Sequence, residues 1–143
     1  MIVIAPPLIS AARKVGVSLS ARATSSLART ARLLPGPRTD ILMIDGTQVI
    51  PSIGITGVTE FTTGQVQITI DAHQSPRLLK RTLDTWLLVA LAHEVDHSVR
   101  VQAGPGEGGT LLDRLITEGM SSAFDIQVSP TIRLPWVHAL TPG

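Results

Sequence analysis

Apolar and small residues recur every three or four positions through the first part of the chain, which is the spacing of one helical face. The pattern predicts one helix or two over residues 7–34, ended by the Pro-Gly-Pro-Arg segment at 35–38. Gly16 and the Ser- and Thr-rich segment 18–26 favour turns and caps, so one helix and two helices both remain open.

Two segments in the middle of the chain have the patterns of strands. Residues 40–45 are a short, mostly apolar run between turn signals, as expected of a buried strand. Residues 65–71 alternate strictly between polar and apolar side chains, which predicts a half-buried strand near the edge of a sheet. Between them, residues 51–64 contain a proline and three glycines and are predicted to be irregular.

The second half of the chain has the pattern of two helices. Ser75 followed by Pro76 is typical of a helix start, and we expect this helix to continue to about residue 102. The glycine-rich segment 104–109 is predicted to form the loop that ends it. Thr110 and Asp113 have the spacing of a capping box, which predicts a last helix that ends near residue 129.

The composition indicates a globular chain, which we interpret as a single domain over residues 1–143. The chain has no cysteine, so disulfides and thiolate metal ligands are excluded. Its formal net charge of +1 gives no reason to expect a nucleic-acid partner. No apolar run approaches the ~18 residues of a membrane span, and the start lacks the charged segment of a secretory signal. We expect a cytoplasmic protein with no membrane partner, and leave its oligomeric state open.

Charge is unevenly distributed, because residues 1–39 contain six basic residues and no acidic one. Together with the many Ser and Ala residues, this composition is similar to that of an organelle transit peptide. We favour the simpler interpretation, in which the basic residues form the solvated face of the N-terminal helices.

The segment 87–100 places two histidines and two acidic residues at the end of an apolar run. Within it, His93, Glu94 and His97 fit the pattern H-E-x-x-H. Positions i and i+4 lie one turn apart on one helical face, so both imidazoles can bind one cation at ~2.0–2.1 Å, as zinc prefers. Glu94 lies beside that pair, where it can take a proton from a water on the metal. The competing interpretation is a pair of structural histidines, but chance gives only about 0.003 matches to the pattern in this composition.

A catalytic zinc site needs a third protein ligand and an open position. Steps of three and four along the last predicted helix place Glu118 on one stripe with Leu111 and Leu115, which we expect to be buried. A buried carboxylate is costly unless it is paired or bound to a metal, so we interpret Glu118 as the third ligand. The alternative is that Glu118 lies at the surface and only the helical wheel places it on the core face.

Several polar and small residues surround these candidates. Ser122 and Asp125 follow Glu118 on the same stripe, and either is expected to bind the second ring nitrogen of a metal-bound histidine or to form a polar end of the helix. Asp96 is expected to point away from the ligands and to be solvated or in a salt bridge. Gly119 is expected to allow a close approach between helices.

With these residues, the chain resembles a family of zinc-dependent proteases classed as a domain of unknown function, which are gluzincin-like zincins with H-E-x-x-H and a downstream Glu. The resemblance lies in four segments, covering about residues 54–140: 54–71, 91–100, 110–124 and 134–140.

The resemblance implies His93, His97 and Glu118 as zinc ligands, Glu94 as catalytic base, and a peptide or protein substrate. It also implies an edge strand, here 65–71, alongside which an extended peptide adds.

We therefore expect an α+β, zincin-like fold. A small mixed sheet with an edge strand lies above the H-E-x-x-H helix and the following glutamate helix, and the N-terminal helix packs behind them. Family members usually continue beyond the Pro-Trp segment, whereas this sequence stops at Gly143. We therefore allow for a truncated C-terminus that lacks a helical subdomain.

Zincins commonly stabilise the oxyanion of the tetrahedral intermediate with a Tyr, His or Arg opposite the base. This chain has no Tyr. His138 is our candidate, Arg133 and more weakly Arg100 are alternatives, and surface solvation is the competing interpretation for each. His73, after the second predicted strand, is expected to be a loop residue.

Three functions remain under consideration. The favoured one is a zinc metallopeptidase with Glu94 as general base. The second is a zinc-binding domain of the same fold without catalytic turnover, with a structural or interaction role. The third is a metal-free module that binds an acidic partner through the basic N-terminal helix.

Overall fold

The computed structural model describes residues 1–106 and 108–134, and these residues adopt an α+β architecture. In this part of the chain, four strands form one small mixed sheet, and helices pack against it. The predicted fold class is therefore confirmed at the level of α+β with a mixed sheet.

The N-terminal region contains a short strand and two helices. Strand β1 (Ile2–Ile4), which the sequence did not predict, leads into helix α1 (Pro6–Lys14), and helix α2 (Leu19–Leu33) follows. Gly16 lies between the helices with φ +75°, a conformation that residues with a Cβ rarely adopt. The two-helix alternative is therefore the correct one.

The sheet has the strand order β1, β2, β4, β3. Strand β2 (Ile41–Asp45) pairs in parallel with β1 on one side and with β4 (Val66–Ile70) on the other. Strand β3 (Ile55–Thr59) pairs antiparallel with β4. Both predicted strands are present, at 40–45 and 65–71.

The strand order corrects two predictions. The segment 65–71 is not at the edge of the sheet, because β4 pairs on both sides and β3 occupies that edge. Strand β3 also lies inside 51–64, which the glycines had marked as irregular, although four of its five residues are β-branched. The alternation of polar and apolar residues indicates which face of a strand is buried. It does not indicate which strands lie on either side, because backbone hydrogen bonds determine that pairing.

The helix predicted after Ser75 begins and ends close to the expected positions. The Ser75 hydroxyl accepts a hydrogen bond from the backbone in the first turn, as a cap should. Helix α3 (Pro76–Arg81) passes through one π-helical turn (Thr82–Trp86) into helix α4 (Leu87–Ala103). Helix α4 packs against α2 on one side and against β3 and β4 on another, so an N-terminal helix does lie behind it.

Helix α5 (Leu111–Val128) begins with the predicted capping box. The Thr110 hydroxyl accepts a hydrogen bond from the Asp113 amide at 3.1 Å, and the Asp113 carboxylate accepts one from the Thr110 amide at 2.9 Å. This reciprocal pair satisfies two backbone donors that would otherwise lack partners at a helix start.

The buried face of α5 is not the stripe that we predicted. Leu111 and Leu115 are exposed, at 74% and 61% of their surface. The buried residues of α5 are instead Thr117, Ser121, Phe124, Asp125 and Val128. The prediction followed the leucines, but much of the face that packs on α4 is polar, so hydrophobic periodicity selected the wrong side. Gly119 also does not serve a close approach, since a Cβ added there would meet no atom within 4 Å.

Aliphatic side chains from the sheet, α1, α2 and α4 form the main core, together with Trp86. A smaller cluster joins α4 to the end of α5 through Ala92, Phe124 and Val128. No helix within the described residues is both long and apolar enough to cross a membrane.

The corrected face of α5 predicts a contrast between two leucines. Leu87→Ala, which truncates a fully buried side chain on α4, should lower the free energy of unfolding by about 2–5 kcal/mol. Leu115→Ala on α5 should change it by less than about 0.5 kcal/mol. Urea unfolding of both variants measures the difference. If Leu115→Ala lowered the free energy of unfolding as much as Leu87→Ala, the stripe through Leu111 and Leu115 would be the buried face after all.

Candidate metal centre

His93 and His97 lie one turn apart on α4 and line a cavity bounded by α4, α5 and β3. Their Nε2 atoms are 3.2 Å apart, so the i, i+4 spacing does place both on one face. Glu118 of α5 reaches the same point. Its Oε2 lies 3.3 Å from Nε2 of His93, and its Oε1 lies 3.5 Å from Nε2 of His97. The structure thus brings together the three residues that the sequence suggested as ligands.

These distances fit the donor set of a tetrahedral zinc ion. Ligand atoms about 2.0–2.1 Å from a tetrahedral centre lie about 3.3–3.4 Å from one another. The two Nε2 atoms, 3.2 Å apart, and the 3.3 Å between Nε2 of His93 and Oε2 of Glu118 are close to that edge length. The 3.5 Å contact with His97 is made by the other carboxylate oxygen, Oε1. One donor atom from each of the three residues lies within 4.8 Å of the other two, and we call this set the ligand triangle. Two imidazoles and one carboxylate are also a donor set that leaves a fourth position open, as catalytic zinc sites do.

Glu118 approaches the histidines from the open side of the cavity, with 60% of its side chain exposed. The prediction that Glu118 is a buried carboxylate is therefore wrong. The residue reaches the histidines because α5 crosses α4 at this level, not because it belongs to the core. Its exposure leaves this side of the centre accessible to solvent and to a ligand.

Asp125 fixes the orientation of His93 from the buried side. It is completely buried, and its Oδ2 accepts a hydrogen bond from Nδ1 of His93 at 2.9 Å. An ionised carboxylate can only accept, so Nδ1 carries the proton and Nε2 presents its lone pair to the cavity. Of the two predicted candidates, Asp125 makes this contact, whereas Ser122 lines the cavity.

The electrostatics of the centre favour a positive charge at His93. Burial alone lowers the pKa of His93, but the hydrogen bond and charge of Asp125, with the charges of Glu94 and Glu118, raise it to about 9. Burial raises the pKa of Asp125, whose Oδ1 has no hydrogen-bond partner among the described residues. A proton or a metal ion at the histidines relieves this excess of negative charge.

Glu94 is buried beneath strand β3, next to the ligand triangle but not part of it. Burial raises the pKa of Glu94, while a hydrogen bond from Thr59 and the charges of the two histidines oppose that shift. The Thr59 hydroxyl lies 2.8 Å from Oε2 of Glu94. A Cβ at Gly57 would lie 2.4 Å from Cγ of Glu94, so only glycine allows the strand to come this close.

Sequence reasoning missed both Thr59 and Gly57. They stand two positions apart on β3, so they face the same way, toward α4. The sequence of this segment, Ile-Thr-Gly-Val-Thr, does have the composition of a strand apart from its glycine. Its alternate positions Ile55, Gly57 and Thr59 form one face of β3.

Asp96 does point away from the ligands, but it is not solvated. It is buried, and its Oδ2 accepts hydrogen bonds from Nε of Arg100 at 2.9 Å and from Oγ of Ser121 at 2.7 Å. The salt-bridge alternative is therefore confirmed. The contact with Ser121 also ties α4 to α5 one turn before Asp125 does.

The candidates for an oxyanion donor have different outcomes. Arg100 is held by Asp96, and Arg133 is exposed; neither lines the cavity. Surface solvation is therefore the correct interpretation for Arg133, whereas Arg100 is neither solvated nor in the cavity, because it is held in the salt bridge with Asp96. His138 lies outside the described residues, so its role stays a prediction. His73 is an exposed loop residue near Asp45, as expected.

The cavity beside the centre has a volume of about 610 Å³. Apart from the centre itself, its walls are mostly apolar. They include the side chains of Ile50, Ile53, Val58, Phe61, Trp86 and Val89. The cavity can therefore bind and desolvate a small apolar group of a ligand, next to the candidate metal ligands.

The contact between Asp125 and His93 predicts a pH-dependent effect on zinc binding. Because a proton on His93 must leave when zinc binds, and the pKa of His93 is raised to about 9, zinc affinity should still increase about tenfold per pH unit near pH 8. Asp125→Asn removes the charge that raises this pKa, so the zinc affinity should fall about 10- to 100-fold. Its dependence on pH near pH 8 should also become weaker. Competition titrations against a zinc chelator at several pH values measure both effects. Equal affinity and slope in the two proteins would contradict the assigned role of Asp125.

Comparison with known proteins supports the same chemistry. Neither the comparison with curated proteins nor that with solved structures found a match. The model of one family, described as "Predicted Zn-dependent protease (DUF2268)", matches residues 19–142, which is most of the chain and includes all three residues of the triangle. The chain therefore belongs to this family of predicted zinc-dependent proteases.

Proposed function

We propose that this protein is a zinc-dependent metallopeptidase of the gluzincin-like, zincin type. His93, His97 and Glu118 hold the ion, and Glu94 is the general base. The observation that carries this proposal is the ligand triangle, whose donor atoms lie within 4.8 Å of one another, next to a buried carboxylate that is held separately by β3. A site that only stored a metal would not need this additional acidic group.

The chemistry divides between the ion and Glu94. A bound zinc ion supplies a Lewis acid that lowers the pKa of a water molecule to about 7. Glu94 takes a proton from the attacking water as its oxygen bonds to the scissile carbonyl carbon. Glu94 then gives that proton to the departing nitrogen as the C–N bond breaks, so atoms and charge balance. The raised pKa of Glu94 suits a group that must both accept and return a proton.

The substrate that best fits the cavity is an extended peptide with an apolar side chain. Strand β3 is the edge of the sheet and borders the cavity, and beyond the single bridge between Ile50 and Ile55 no described strand pairs with its outer side. An extended peptide can add to such an edge through backbone hydrogen bonds. The apolar walls of the cavity then receive a side chain next to the bond that is cleaved.

A second function, a zinc-binding domain without turnover, is favoured by one observation. Among the described residues that line the cavity, there is no arginine or lysine to face the developing oxyanion. In that case the ion would have a structural or interaction role and contribute directly to folding. The two functions differ in whether cleavage occurs, not in whether zinc is bound.

Replacement of the base separates the two functions. Glu94→Gln should lower kcat on a library of apolar peptides about 10²- to 10⁴-fold, because the amide cannot accept the proton. Zinc content by elemental analysis should stay near that of the wild type, since Glu94 is not in the triangle. A chelator should abolish wild-type activity. Equal activity of Glu94→Gln and the wild type would rule out the mechanism, and zinc-loaded wild type without cleavage would favour the second function.

Removal of Glu118 tests the ligand set without reference to activity. The purified wild-type chain should carry about one zinc ion in its three-ligand site. Glu118→Ala should lose most of it on dialysis, because two histidines alone leave the ion weakly held. Leu115→Ala, an exposed change one turn earlier on α5, is the matched control and should keep the wild-type content. Full zinc retention by Glu118→Ala would place the third ligand elsewhere.

A further inference from the structure

Thr59 contacts Glu94 at hydrogen-bond distance. Its side chain is buried on β3, and its Oγ1 lies 2.8 Å from Oε2 of Glu94 and 2.9 Å from the Glu94 backbone oxygen. A hydroxyl has one proton and can donate it fully to only one of these oxygens. The charged carboxylate oxygen is the stronger acceptor, so the proton points to Oε2.

We propose that Thr59 is a positioning residue, which holds Glu94 by Oε2 and leaves Oε1 as the oxygen that exchanges the proton. This proposal rests on the proposed function of Glu94 as general base. No described residue donates a hydrogen bond to Oε1, and Glu94 lines the cavity. When a proton occupies Oε1, Oε2 remains an acceptor, so the bond from Thr59 persists in both states of the base.

Gly57 completes the arrangement from the same face of the strand. A Cβ at this position would lie 2.6 Å from Oε1 and 2.4 Å from Cγ of Glu94. The missing side chain therefore leaves the space that Glu94 occupies, while Thr59 fixes the carboxylate within it. Both residues belong to the edge strand, so the segment expected to bind the peptide also places the base.

The test compares Thr59→Val, which keeps the shape of the side chain without its hydroxyl, with Thr59→Ser, which keeps the hydroxyl. In zinc-loaded protein, Thr59→Val should lower kcat about 10- to 100-fold with little change in KM or zinc content, as expected when a catalytic group is misplaced. Thr59→Ser should recover kcat to within about 3-fold of wild type. In a Glu94→Gln background, Thr59→Val should have no further effect on kcat.

A second readout does not depend on activity. Crystal structures of the zinc-loaded variants should show the Glu94 carboxylate displaced in Thr59→Val and in place in Thr59→Ser. Three results would overturn the proposal: wild-type kcat in Thr59→Val, an equal loss in the Glu94→Gln background, or an unmoved carboxylate. If zinc-loaded wild type cleaves no peptide, the proposed function fails, and the position of the carboxylate in the crystals still decides whether Thr59 holds it.

Discussion

The structure around α4 and α5 depends on one electrostatic feature, which is the concentration of carboxylates around two imidazoles. Glu94, Asp125 and Glu118 converge on His93 and His97, and no lysine or arginine lines the cavity among the described residues. Buried carboxylates are costly without a positive partner. A cation between the two Nε2 atoms supplies that partner. The concentration of negative charge therefore favours the binding of a cation at this point.

The parts of this centre that lie within one helix were predictable from sequence. His93, Glu94 and His97 are set by the fixed geometry of α4, so their spacing alone places two donors on one face and an acid beside them. Contacts between elements were not predictable in the same way. Thr59 reaches Glu94 because β3 packs against α4, and the place of β3 in the sheet depends on backbone pairing that the alternating pattern does not contain.

Glu118 lies beside the two histidines, as predicted, although the premise that placed it there is wrong. The leucines of α5 suggested a buried stripe, yet α5 contacts α4 through Ser121 and Asp125, whose partners are Asp96 and His93. A helix that packs against an active helix meets polar side chains there, so its inner face is itself partly polar. Next to a polar site, hydrophobic periodicity does not predict the buried face of a helix, because polar side chains there face inward to bind one another.

A cation bound by Glu118 and the histidines would also have a structural effect on α5. The second half of the helix is held by Phe124 and Val128 against α4 and by Asp125. Its first turns carry exposed apolar side chains and make few such contacts, and Glu118 lies about two turns, or ~10 Å, before Asp125. A cation shared by Glu118 and the histidines adds a tie at that earlier point. Part of the binding free energy of such a cation would then hold the first half of α5 against α4, so metal affinity and the stability of this helix would be coupled.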